Sequence, residues 1–377
     1  MKPDPDRRVL GLAKSILKKY AFCPQCLGRQ FPHFQAKLTS RQKGQELLQL
    51  ISNKARRPEN CYLCGGLMSS IEERSMKIVE ALKPYEFDSF LVGTKVPTES
   101  IEREDLVRSE FKLRGGRTLK AEFTRELGRN VATLMGKELT YTSPELVAIL
   151  DPVDDSIKIT PKSLHMFGRY VKKVRGLPQK QTFSKDESVE SLLAGKILGY
   201  FGGRKVRFSW IGGEDDDSLV LAEGRPFYAE LFEPTRRSLD AFSKLSSEEN
   251  RVVLKELRIV KGTPPVKVKF RVKILADVEF ESPITEAELS RLEPDFKDTV
   301  VTALSTRKGK LAEKKIYTLK IEEFQGKTAR LMIECDGGLN IKKFVSGADH
   351  EVSPSISEVI RVGTRCSRFD VLEVNLL

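Results

Sequence analysis

"GGEDDDSLVLAEGRPFYAELF", residues 212–232, decides how the second half of the chain reads. Gly212 and Gly213 make a turn, four consecutive acids run from Glu214 to Asp217, and "SLVLA" and "RPFYAELF" follow as strands. The knot of acids stands out in a chain of net charge +12. It reads as a cation site, as a solvated turn, or as a loop on which one carboxylate does chemistry. Four adjacent acids on one turn cannot all converge on an ion, and two-metal sites gather carboxylates from separate elements, which argues against a metal-dependent phosphoryl-transfer enzyme or nuclease.

Working outward, strand-like runs surround this stretch: "RKVRFSWIG" (204–212), "VKVKFRVKILADVEFE" (266–281), "KKIYTLKIEEFQG" (314–326), "TARLMIECDGG" (328–338) and "FDVLEVNLL" (369–377). Helices are predicted at "SLDAFSKLSSEENRVVLKEL" (238–257) and "TEAELSRLE" (285–293). The fold class is α+β, and residues 192–377 form a domain with a large, mainly antiparallel sheet. A polar linker, "KQTFSKDESVES" (180–191), precedes it.

Residues 69–180 read as a compact α/β module. It holds a helix near 69–83, a strand in "YEFDSFLVGTKVP", a long helix in "RTLKAEFTRELGRNVATLMGKEL", and a hairpin in "PELVAILDPVDDSIKIT". "SLHMFGRYVKKVRGLPQ" (163–179) closes it. Residues 1–68 carry two C-x-x-C pairs, Cys23–Cys26 and Cys61–Cys64, with a helical stretch from about 34 to 52 between them. Two such pairs form the ligand set of a tetrahedral zinc knuckle. Cys335 and Cys366 lack partners and read as core thiols.

The 377 residues include 65 Lys+Arg against 53 Asp+Glu, which fits a polyanionic partner such as nucleic acid. Basic residues recur beside glycines and aromatics in "KLRGGRTLK" (112–120), "GRYVKKVRGLPQK" (168–180) and "GGRKVRFSW" (202–210). Such segments follow a phosphate backbone while their aromatics pack or stack. No apolar run reaches about eighteen residues, so no membrane span is expected and the cytoplasm is the expected address. His33, His165 and His350 are scattered and suggest no shared site.

The ordered set "CPQCLGRQFP", "CYLCGGL", "FLVGTKVP", "RELGR", "GRYVKKVRGLPQ", "GGEDDDSLVLAEGRPF", "EPTRRSLD", "GGLNIKKFVSG" and "PSISEVI…DVLEV" resembles the archaeal and eukaryotic pseudouridine synthase family ten, from about residue 20 to the C-terminus. The resemblance implies an N-terminal zinc-bearing module with a THUMP-like RNA-binding domain, then a pseudouridine synthase core. It also implies a tRNA partner, recognised at the T-loop and modified at uridine 54, uridine 55 or both. The implied reaction uses no catalytic cofactor and no nucleotide; zinc is structural, and the chain is expected to act as a monomer.

Residue by residue, the family's "GREDVDVRMLGxGRPF" places its nucleophile on Asp215, with unbroken spacing to Gly224–Phe227. The family's lysine in "GTYIK" falls on Lys342 in "GGLNIK", the proposed ion-pair partner of Asp215, with Ile341 packing on the base. Arg175 in "VRGLPQ" is implied to contact RNA, and Arg307 is retained from a basic segment of the family. Four positions depart from the pattern: Gly213 and Leu219 replace arginines, Leu275 is aligned with a base-stacking tyrosine, and Asn340 replaces the tyrosine of "GTYIK". Tyr317 on a later strand reads as core. These losses leave a second reading open, a catalytically degraded relative that serves as a tRNA-binding protein or folding aid.

Overall fold

The computed structural model describes residues 5–51, 61–181, 187–240, 251–305, 310–347 and 351–377. The chain divides into two compact units, Met1–Lys162 and Ser163–Leu377.

The first unit opens with helix α1 (Pro5–Lys19), α2 (Pro24–Gly28) and α3 (Ser40–Leu50). Thr39 starts α3 with a capping box: its hydroxyl accepts from the Gln42 amide, and the Gln42 side chain accepts from the Thr39 amide. That start is later than the stretch from residue 34, because the preceding segment is spent in turns. Two glycines let α2 dock on α3: a Cβ on Gly44 would sit 1.7 Å from the Pro24 carbonyl oxygen, and one on Gly28 would sit 1.9 Å from that of Ser40.

Beyond these helices lie α4 (Ile71–Leu82), β1 (Ser89–Thr94), α5 (Thr98–Glu110), α6 (Leu119–Met135), β2 (Glu138–Leu139), β3 (Leu146–Asp151) and β4 (Ser156–Pro161). The strands pair in the order β2-β1-β3-β4, with β1 parallel to both neighbours and β3–β4 the expected hairpin. Strand β1 alternates Phe90, Val92 and Thr94 inward, and α6 turns Phe123, Leu127 and Val131 to the same core. The helix stops where Gly136 takes up a left-handed conformation. The cysteine-bearing segment has no core of its own. Cys23, Cys26, Cys61 and Cys64 share one apolar cluster with Phe90, Phe123 and Leu146.

The second unit comprises β5 (Leu164–Lys172), α7 (Val189–Phe201), β6 (Lys205–Trp210), β7 (Val220–Phe232), β8 (Val252–Ile259), β9 (Phe270–Phe280), α8 (Glu286–Ser290), α9 (Leu292–Phe296), β10 (Thr299–Ser305), β11 (Lys310–Phe324), β12 (Thr328–Asp336), α10 (Ile341–Ser346), β13 (Val352–Ser353), α11 (Ile356–Ile360) and β14 (Thr364–Leu376). Its sheet runs β13-β10-β11-β12-β9-β14-β7-β5-β8, with β6 also on β7. It is mainly antiparallel, as expected, the exception being β14 beside β7 at Val371↔Val220. The last strand therefore sits mid-sheet, antiparallel to β9 from Phe270↔Leu376 to Phe280↔Thr364.

Two expectations are corrected here. "SLHMFGRYVK", expected to close the N-terminal module, is β5, hydrogen-bonded between β7 and β8 in the second unit. The predicted helix 238–257 ends as strand β8; residues 241–250 lie outside the described residues. The expected linker contributes Ser188, which caps α7 by accepting from the Ser191 amide.

Candidate functional site

The acids of the turn between β6 and β7 differ in exposure, from the buried Glu214 side chain to the exposed Asp217. The Glu214 side chain is fully buried, its Oε2 lying 2.7 Å from Nε of Arg225, itself 2% exposed. The Tyr170 hydroxyl donates to Glu214 Oε1 at 2.6 Å, and Gln179 Nε2 donates to Oε2 at 3.1 Å. Burial, with the Glu214 charge second, pushes the Tyr170 phenol well above its ordinary value, so it remains a neutral donor. Tyr170 and Gln179 come from β5 and the segment after it, and Arg225 from β7.

Asp215, one residue on, borders the same cleft as Glu214 and Arg225, but its side chain is about half exposed where theirs are buried. The cleft, of about 820 Å³, is floored by Phe270, Val272 and Ile274 of β9 and Phe369 and Val371 of β14. Lys342 reaches in from the first turn of α10, and its Nζ lies 2.6 Å from Asp215 Oδ2, with both side chains about half exposed. The contact with Asp215 raises the Lys342 pKa above its ordinary value, so Lys342 stays an ammonium at neutral pH. A carboxylate beside a cation, on a cleft lined by apolar side chains together with Arg225, Lys314 and Lys343, is suited to nucleophilic attack on a bound group.

The main chain of this turn is fastened from beneath. Lys172, fully buried, donates to the carbonyls of Leu177 at 2.9 Å and of Asp215 and Asp216 at 3.0 Å each. Burial lowers its pKa from the usual lysine value. Arg175 grips Asp370 with two hydrogen bonds of 2.7 and 2.8 Å and also donates to the Asp217 carbonyl. Asp370 in turn accepts from the Leu219 amide.

In the first unit, the sulfurs of Cys23, Cys26, Cys61 and Cys64 all lie within 4.8 Å of one another, and all four residues are buried. The Cys23–Cys64 separation is 3.9 Å. A tetrahedral site with metal–sulfur bonds of about 2.3 Å has edges of about 3.8 Å, so the cluster fits a four-thiolate metal site. Arg29, 2% exposed, places Nη2 3.9 Å from Cys26 Sγ and is ion-paired with buried Glu104, which also accepts from the Leu119 amide at the start of α6. A cation at that place offsets part of a thiolate cluster's charge. Among the described residues this is the one group of three or more His, Cys, Asp or Glu side chains close enough to share an ion, so the acids 214–217 form no such group.

The family profile "Pus10, C-terminal" matches residues 165–375, more than half of the chain, and "Pus10 THUMP domain, archaeal" matches residues 75–151. The chain belongs to the Pus10 family. Curated relatives named tRNA pseudouridine synthase Pus10 align along almost the whole sequence. The Nitrosopumilus maritimus protein is 30% identical, covering 98% of this chain and 99% of its own. That of Cenarchaeum symbiosum is 32% identical over 95% and 90%. That of Pyrococcus furiosus is 28% identical over 97% and 98%. Among solved structures, a chain of a Cbf5–Nop10–Gar1 complex overlaps loosely, at 12% identity over 55% of this chain and 49% of its own, with a TM-score of 0.33.

Within this Pus10 chain the expected site residues are partly gathered. Asp215, Lys342, Ile341 and Asn340 line one cleft. Asn340 is the N-cap of α10, its side chain accepting from the Lys343 amide, so the segment aligned with "GTYIK" is a helix start. Arg175 holds Asp370 and the turn. Arg307 and His350 lie outside the described residues. Tyr317 is half-buried rather than core: its hydroxyl donates to Asp336 at 2.9 Å, and Arg271 lies 3.8 Å over its ring. Cys335 and Cys366 are buried as expected, and burial pushes both thiols up to about 12.

Leu275 is not a cleft residue. Strand alternation turns Val272, Ile274 and Ala276 to the core, and Leu275 to the opposite face with Asp277, which there binds Arg330 and Arg368. A one-residue register slip separates the two readings. Leu275→Ala is accordingly expected to leave product formation within about twofold. Ile274→Ala, at a site 1% exposed, is expected to cost about 2–5 kcal/mol in thermal or urea unfolding and to impair turnover by opening the cleft floor. Equal effects of the two substitutions on turnover contradict this assignment.

Sequence reasoning missed Tyr170, Lys172, Gln179, Glu214 and Arg225. One signal was present: Arg225 stands in the "GRPF" motif itself, at the start of the predicted strand "RPFYAELF".

Proposed function

We propose that this chain isomerises uridine to pseudouridine in the T-loop of tRNA, at position 54, 55 or both, with Asp215 as nucleophile. The observation that carries the reading is Asp215, 2.6 Å from Lys342, on the same cleft as the apolar side chains of β9 and β14. A carboxylate oxygen of Asp215 bonds to the sugar carbon C1′ as the C1′–N1 bond breaks, and uracil leaves with the electron pair. The base rotates, C5 bonds to C1′ and expels Asp215, and the proton lost from C5 is balanced by one gained at N1. Atoms and charge balance without a cofactor. Lys342 keeps the departing carboxylate ionised, and Ile341 with the β9 floor packs on a base that must leave its stack to be reached.

In this reading residues 1–68 hold a structural zinc ion on Cys23, Cys26, Cys61 and Cys64, residues 69–162 supply the THUMP-like contact to tRNA, and residues 163–377 carry the chemistry. The protein acts as a cytoplasmic monomer. No helix among the described residues is long and apolar enough to cross a membrane, which accords with that address.

The test is to incubate the purified protein with an unmodified tRNA transcript and map pseudouridine. Product confined to the T-loop is the expected result. Tight, salt-sensitive tRNA binding without product would instead identify a binding protein and overturn the catalytic reading.

A further inference from the structure

Three buried charged side chains underlie the β6–β7 turn: Glu214, Arg225 and Lys172. Replacing a buried ion pair by well-packed apolar residues is often neutral or stabilising, so stability alone gives little reason for such a cluster. What it does accomplish is geometric. Lys172 has three N–H donors and places them on three carbonyls, two of which belong to Asp215 and Asp216. Arg225 donates to the Ile211 carbonyl and pairs with Glu214. Gln179 reaches both Glu214 and the Gly212 carbonyl. Gly212 has φ +79, and a Cβ there would lie 2.4 Å from Arg225, so the turn closes directly onto the cluster.

We infer that Glu214, caged by Arg225, Tyr170 and Gln179, and Lys172 on the neighbouring carbonyls are positioning residues that aim the Asp215 carboxylate into the cleft. Glu214 is anchored by its side chain, and the carbonyls of Asp215 and Asp216 are held by Lys172, so the main chain from which the Asp215 carboxylate projects is fixed on both sides of that residue. Reacting groups must be held within about 0.5 Å of productive geometry, and a misplacement of about 1 Å can cost a hundredfold in rate. A salt bridge with Lys342 alone, half exposed and on a flexible stem, does not hold the nucleophile that closely. The inference rests on Asp215 being the nucleophile proposed above.

Two substitutions test it in the full-length protein. Tyr170→Phe removes one hydroxyl that donates to Glu214 and keeps the ring packed against Trp210 and Phe227. Lys172→Met removes the three carbonyl contacts and keeps the buried stem. Single-turnover conversion of a T-loop-containing tRNA transcript, its dissociation constant and the melting temperature are measured together. The expected result is a rate lowered about tenfold or more in each variant, with the dissociation constant unchanged within about twofold. A general loss of structure would move melting and binding as well; should Lys172→Met fail to fold, Tyr170→Phe decides. Wild-type conversion rates in a folded Tyr170→Phe protein overturn the inference and leave the functional reading intact. A wild-type protein that binds tRNA and makes no product overturns that reading and this inference with it.

Discussion

Asp215→Asn is expected to abolish pseudouridine formation, by at least about three orders of magnitude, while leaving fold and tRNA affinity in place. The amide is isosteric with the carboxylate but carries no charge and does not attack C1′. The pair it breaks is about half exposed on both sides, so the loss of Lys342's partner is worth under about 1 kcal/mol of stability. The contrast with Glu214 is sharp. Glu214→Ala strands the Arg225 guanidinium, 2% exposed, and is expected to cost about 3–5 kcal/mol. Two adjacent acids thus separate in the laboratory: one variant melts normally and is inert, the other melts early. The measurements are thermal unfolding and pseudouridine mapping on the same preparations, and product from Asp215→Asn above a thousandth of the wild-type rate would remove Asp215 from the role of nucleophile.

Loss of metal is expected to have the largest effect on structure. Four-thiolate zinc contributes about 10–16 kcal/mol of apparent binding free energy in small zinc modules, comparable with the whole stability of a domain. Here the thiolates sit in the same apolar core as the strands and helices of the first unit, and Arg29 carries the connection through Glu104 to the start of α6. Chelation, or Cys64→Ser, is expected to unfold residues 1–162 cooperatively and to abolish high-affinity tRNA binding. Acid is expected to act in the same direction, because protons compete with the metal for the thiolates. The check is metal content by atomic absorption alongside circular dichroism before and after chelation. A purified protein free of metal and melting as sharply as before would show that the four cysteines are simply buried thiols.

Asp215 was legible as the candidate nucleophile because glycines and "GRPF" punctuate its loop and fix the count from motif to motif. Leu275 was misplaced because β9 offers no such marks; in an even run of alternating residues the period of two determines everything and the register nothing. Strand β8 was read as helix for a related reason. "RVVLKEL" mixes good helix formers with closely spaced apolar residues, and its pairing to β5, distant in sequence, decides in favour of extension. The inward turn of Glu214 was invisible for a third reason. In sequence it is one of four like acids, and its distinction is conferred by Tyr170, Gln179 and Arg225, which lie 44, 35 and 11 positions away.

The place of β14 in the sheet bears on how the Asp215–Lys342 pair is held together. One flank of the sheet carries the Asp215 turn, the other leads through β12 into the helix bearing Lys342, and the seam between them is the final strand of the chain. Without that strand the Asp215 turn and the Lys342 helix have no shared scaffold, so the register of residues 364–376 between β9 and β7 sets the 2.6 Å contact between the two side chains.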